Sequence, residues 1–160
     1  MKRSTKFFLI MSGLFLVVSV WAQSGKDEKD KKPKNTFPGF AVYLGKSDLT
    51  GVDLRVSKRV FDSLMKQGLT SRDSSGKPFQ FHSFMFTYGE RNLYEDSVGT
   101  LMILTDLLSE YCPGNTLTEN ISGSLFQRTK KGDTAYIDDI LLVDDKGKSR
   151  KGRAMRIILQ

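Results

Sequence analysis

Six aromatic residues fall between Phe79 and Tyr94, and most of them alternate with their neighbours: Phe79 and Phe81, then Phe84, Phe86 and Tyr88. A period of two is the mark of a half-buried strand, so this segment predicts the central strand of a sheet. The alternation slips between Phe81 and Phe84, which predicts a β-bulge near Ser83.

The rest of the chain supports the same class. Phe40–Leu44 reads as a short strand ended by Gly45. Val56, Val60, Phe61, Leu64 and Met65 form a helical stripe over about 56–67, with Ser57 or Asp53 as cap and Gly68 beyond its end. Arg72–Lys77 is a loop by composition. Gly99–Thr105 suits a strand, but Leu101, Leu104, Leu108 and Tyr111 also suit a helix, and periodicity leaves both open. Thr118–Gly132 predicts a short helix with Ile121, Leu125 and Phe126 inward. Thr134–Val143, the turn chemistry of Asp144–Gly147, and Arg153–Leu159 predict a hairpin whose Met155, Ile157 and Leu159 face the core. The expected fold is mainly β, a β-rich α+β domain with sandwich-like antiparallel sheets and one or two short helices.

The N-terminus carries a different signal. Lys2, Arg3 and Lys6 precede an apolar run, Phe7–Trp21, that ends in Val20-Trp21-Ala22. This pattern predicts a signal peptide over residues 1–22, cleaved after Ala22; the run is short for a membrane span, which needs about 20 apolar residues. A periplasmic or secreted product with no stable membrane anchor is expected. Of the formal charge of +7, three positive charges lie in that leader. Residues 23–36 hold five lysines and three acids without a large apolar side chain, and predict a disordered spacer. The acids among those lysines argue against nucleic acid as a partner. Residues 37–160 remain as one domain, of a size that can bury a core without metal or disulfide.

Chemistry is sparse. One cysteine excludes an internal disulfide, and one histidine and one cysteine fall short of a zinc ligand set. His82 reads as a packing or surface residue of the aromatic strand, and Cys112 as an inert or semi-exposed thiol in a turn. Asp138 and Asp139, adjacent on a strand, are expected on opposite faces, where they cannot act as a pair. Asp144-Asp145 lacks calcium-loop spacing, and no phosphate loop or dinucleotide motif occurs. No catalytic residue, metal ligand or cofactor site is assigned. A basic cluster runs from Lys146 to Arg156 without an acid. It reads either as a charged edge that resists aggregation or as a patch for an acidic partner or polyanion. The candidate contact residues are Lys148, Arg150, Lys151 and Arg156.

Three segments form an ordered series: Asn115–Glu119, then Gly132-Asp133-Thr134-Ala135-Tyr136-Ile137-Asp138-Asp139-Ile140, then Asp145-Lys146-Gly147-Lys148-Ser149-Arg150 before a closing strand. The series resembles the last periplasmic domain of GldM/PorM, the gliding-motility and type IX secretion protein of Bacteroidetes. Tyr43–Lys46, Gly51–Asp53 and the Phe79–Phe86 strand are similar to the same layout, so the resemblance covers about 120 residues. It implies a free-standing, non-enzymatic protein–protein interaction module, acting in the periplasm or in an outer-membrane-associated complex. The alternative is a module that binds a polyanion or glycan through the basic C-terminal hairpin.

Overall fold

The computed structural model describes residues 39–160; the predicted signal peptide, its cleavage position and the lysine-rich spacer lie outside them. Among the described residues, no helix is long and apolar enough to cross a membrane. Strand accounts for 49% and helix for 16%, so the β-rich α+β expectation holds.

Eight strands and two helices follow in order: β1 Val42–Leu44, β2 Leu54–Val56, α1 Lys58–Gln67, β3 Leu69–Ser71, β4 Gln80–Glu95, β5 Leu101–Pro113, α2 Glu119–Arg128, β6 Thr134–Val143, β7 Ser149–Lys151 and β8 Met155–Leu159. The large sheet runs β2-β8-β6-β4-β5, with β7 also paired to β6; β1 and β3 form a small sheet of their own. All pairings are antiparallel except that of β2 with β8, which is parallel. The expected closing strand, Arg153–Leu159, is β8; β7 precedes it and forms the hairpin with β6, and the two lie along different stretches of β6.

One face of the large sheet carries Phe84, Phe86, Tyr88, Ala135, Ile137, Met155, Ile157 and Leu159, all buried. They share a core with Phe61 and Met65 of α1 and Ile121 and Leu125 of α2. Their neighbours on the opposite face, Met85, Thr87, Tyr136, Arg156 and Ile158, are only half-buried. This is the alternation of a sheet packed on one side.

Local chemistry sets the element ends. The Ser57 hydroxyl accepts the Val60 amide at 3.4 Å, and the Gly68 amide closes α1 onto the Met65 carbonyl. Lys58 joins the two helices: its ammonium meets Asp62 at 2.9 Å and the Phe126 carbonyl, at the end of α2, at 2.7 Å. The Thr118 hydroxyl leaves the α2 cap unmade and donates to Glu110 instead. Three turns share one design. In Asp73–Lys77, Asp96–Thr100 and Asp144–Lys148 the first carboxylate accepts the amides of the third and fifth residues, at 2.8–3.0 Å. The glycine in fourth place has a φ of 84°, 84° and 75°, a backbone that disfavours other residues. The Ser75 hydroxyl and then these amides hold the Asp73 carboxyl below the ordinary aspartate range, and the amides do the same for Asp96 and Asp144.

The expected bulge is present. The β4–β6 register shifts on both sides of Ser83, and Asp139 adopts a φ of 47° on the facing strand. At the same end, Gly152 lies where a Cβ would approach Ile140 Cγ2 to 2.7 Å and Val42 Cγ2 to 2.8 Å. Both neighbours are core residues, so Gly152→Ala is expected to destabilise the fold by about 1–3 kcal/mol through overpacking. Urea denaturation measures this.

Candidate functional site

The pairing of β4 with β6 ends at Gly89↔Thr134, whereas its pairing with β5 continues to Glu95↔Leu101. Residues 90–95 and 101–106 therefore form a two-stranded arm that outruns the sheet by about 20 Å at strand rise. Its apolar side chains face water. Leu93, Val98, Leu101, Ile103 and Leu107 are 58–82% exposed, and Tyr94, Met102, Leu104, Leu108 and Tyr111 are exposed as well. The pairing register puts Leu93, Leu101, Ile103, Leu107 and Tyr111 on the face away from the core, and Tyr94, Met102, Leu104 and Leu108 on the other. A contiguous exposed apolar surface of this kind is uncommon on a folded chain.

β5 is also the edge of the sheet. Two bonds fix which way its backbone points. Asp96 N–H donates to the Thr100 carbonyl at 3.0 Å, and Gly114 N–H to the His82 carbonyl at 2.9 Å. Both belong to the single register of the β4–β5 ladder, so its even-numbered β5 residues bond inward to β4. The odd-numbered ones, Leu101, Ile103, Thr105, Leu107, Ser109 and Tyr111, turn N–H and C=O outward. Natural edges are guarded by charged side chains, lysine above all, and by proline, bulges or shortness; β5 carries only Asp106 and Glu110 as charges. β5 has 13 residues and no Lys or Arg, and its one proline is the last residue. The opposite edge, β2, has three.

The arm is acidic. From Glu90 to Tyr111 it holds Glu90, Glu95, Asp96, Asp106 and Glu110 against Arg91 alone. Glu90 is neutralised by Lys130 at 2.9 Å and Arg128 at 3.6 Å. Asp106 accepts only neutral donors, Tyr94 Oη at 2.7 Å and Asn92 Nδ2 at 2.8 Å; these bonds hold its carboxyl below the ordinary range. Glu110 accepts from Thr118 and from Asn120, the latter at 3.3 Å. Neither Asp106 nor Glu110 forms an ion pair among the described residues.

A buried carboxylate roots the arm. Asp133 is fully buried; its Oδ2 accepts from the Tyr88 hydroxyl and, at 2.9 Å, from Lys130 N–H, while Oδ1 accepts from Arg91 N–H at 2.9 Å. The Asp133 carbonyl also takes the Leu159 amide at 2.9 Å. The Gly-Asp pair of the Gly132–Ile140 series thus clamps β4 where the arm leaves the sheet. Burial, and then Asp133 beside it, raises the Tyr88 pKa. The folded protein keeps a phenol proton that the unfolded chain releases near pH 10. Stability from this group is complete below pH 10 and falls as pH rises beyond it. Urea midpoints at pH 8 and pH 11 should show that fall, reduced in Tyr88→Phe.

The four candidate basic residues do not form one patch. Lys148 and Lys151 are exposed on the β6–β7 hairpin, free of ion pairs among the described residues. Arg150 beside them is held by Asp144 at 3.1 Å. Arg156 points to the open face as strand alternation predicts, but lies opposite Tyr136, paired to Asp53. That is about 15–20 Å along β6 from the hairpin. The Asp138–Asp139 expectation is corrected. The bulge absorbs one residue of alternation, and both carboxylates line a single open cavity of about 390 Å³ with Ser83 and Lys151. Burial, and then Asp139, raises the Asp138 pKa. His82 is exposed on β4. Cys112 lies in β5 rather than in a turn and is fully buried; burial raises its thiol pKa, the reverse of what a reactive thiolate needs.

Sequence reasoning missed the arm and Asp133. The signal for the arm was Leu101-Met102-Ile103-Leu104, four consecutive apolar residues that as a strand present both faces. No family model matches the chain, and no curated protein matches it.

Proposed function

We propose that this chain is a non-enzymatic protein–protein interaction module whose contact surface is the β4–β5 arm and the β5 edge. The observation that carries the reading is the exposed apolar row Leu93, Leu101, Ile103 and Leu107 beside a long edge strand without Lys or Arg. The resemblance to the terminal periplasmic domain of the gliding and type IX secretion protein supports the same class and suggests a periplasmic or outer-membrane-associated complex. The basic hairpin is secondary. Two of the four candidate basic residues, Arg150 and Arg156, already have acidic partners, and Arg156 lies away from the hairpin, so less charge is free to hold a polyanion.

Affinity capture from the periplasm of producing cells tests the proposal with two variants. One replaces Leu93, Leu101, Ile103 and Leu107 by Thr; the other replaces Lys148, Arg150, Lys151 and Arg156 by Gln. Loss of the protein partner with the first variant and retention with the second is expected. Recovery of glycan alone, salt-sensitive and lost only with the second, overturns the reading in favour of a polyanion-binding module.

A further inference from the structure

We infer that the partner docks by adding a strand to β5, and that this strand is extended, apolar and cationic. The inference rests on the interaction-module reading and names its occupant and its geometry. Six residues of β5 direct their N–H and C=O groups away from β4, a spacing that matches an incoming strand and nothing else so well. Main-chain bonds along that edge supply binding without regard to sequence; the side chains flanking it select the partner.

Charge identifies the selection. Asp106 and Glu110 are four residues apart on β5, hence on the same face, and no cation pairs with either among the described residues. A strand laid beside β5 brings residues four apart opposite these two, and Lys or Arg there gains a cross-strand pair. On the other face the incoming side chains meet Leu101, Ile103, Leu107 and Tyr111, which calls for apolar residues at the alternate positions. The occupant is therefore a strand with basic residues at i and i+4 and apolar residues between them on the opposite face. A second copy of β5 fits less well, because it brings more carboxylates and no Lys or Arg. A lipid surface fits less well too. The arm tip carries Glu95 and Asp96, and an unpaired strand edge is costly in hydrocarbon.

The test uses the purified chain and a fluorescein-labelled peptide of alternating valines with lysines four positions apart, followed by anisotropy. Three companion peptides carry glutamate for lysine, N-methyl groups on the amides of one edge, or N-methyl groups on the other edge. Binding at least tenfold tighter for the lysine peptide than for the glutamate peptide is expected. Methylation of one edge should abolish it and methylation of the other should leave it. Thr105→Pro removes an outward N–H without touching the β4 ladder. It should weaken binding at least tenfold while circular dichroism stays unchanged. Equal binding of the two charges overturns the cationic occupant, and binding indifferent to methylation overturns strand addition. So does the absence of peptide binding, while arm-dependent capture of a protein partner would leave the module reading standing. A sedimenting dimer dissociated by Thr105→Pro overturns it in favour of a second copy. Partition onto phosphatidylcholine vesicles, lost with the four-Thr arm variant, overturns it in favour of lipid.

Discussion

Replacing Leu93, Leu101, Ile103 and Leu107 together by Thr should abolish partner binding and leave the fold intact. The asymmetry follows from where these side chains lie. All are 58–67% exposed in the free chain, so folding draws little from them, and threonine keeps the β preference of the strand. The thermal midpoint should move by only a few degrees, and exposed-dye binding should fall. In a complex, each of the four would be desolvated. Full burial of one such side chain contributes roughly 1.5–3 kcal/mol, so even partial burial of four yields about 4 kcal/mol, roughly a thousandfold in affinity. A variant that binds its partner as tightly as the parent places the interface elsewhere.

The second large effect is on stability and comes from Asp133→Ala. That substitution strands the Tyr88 hydroxyl and the amides of Lys130 and Arg91, all directed at a fully buried position. A buried donor left without a partner costs about 1–3 kcal/mol. Non-additive losses at three donors should still reach about 3 kcal/mol or more, a large share of the 5–15 kcal/mol typical of a domain. The corresponding fall in thermal midpoint exceeds about 10 °C. Asp133→Asn keeps one acceptor and should fall between. Since Asp133 roots the arm, Asp133→Ala should also raise hydrogen exchange in β4 and β5 near Gly89 before global unfolding. A loss below about 1 kcal/mol would show that water replaces the carboxylate.

These two sites explain what could be read from the chain and what could not. Alternation in Phe84–Tyr88 and in Met155–Leu159 named the core strands correctly, because one face is buried and the other wet. The helix expected over about 56–67 was equally plain, with Gly68 and the Phe61–Met65 stripe agreeing; it starts at Lys58 with Ser57 as cap, and Val56 ends β2 instead. Leu101–Tyr111 stayed open between strand and helix because its apolar residues obey neither period: the arm is apolar on both faces. β2 and β3 have three residues each, too few to show any period. The positions of Asp138 and Asp139 followed the alternation rule only up to the bulge, which a residue count across Ser83 suggested on β4 but not on β6. Asp133 was visible as part of a Gly-Asp series, yet its role depends on Tyr88 and Arg91, more than forty residues away.

A photo-crosslinking residue placed at Leu107, and in parallel at Lys148, tests most directly, in cells that produce the protein, whether the arm is the contact surface. A discrete protein adduct from position 107, lost when Thr105→Pro blocks the edge, is predicted, with none of comparable yield from position 148. An adduct from position 148 with none from position 107 would contradict an arm-based interface and move the contact surface to the basic hairpin.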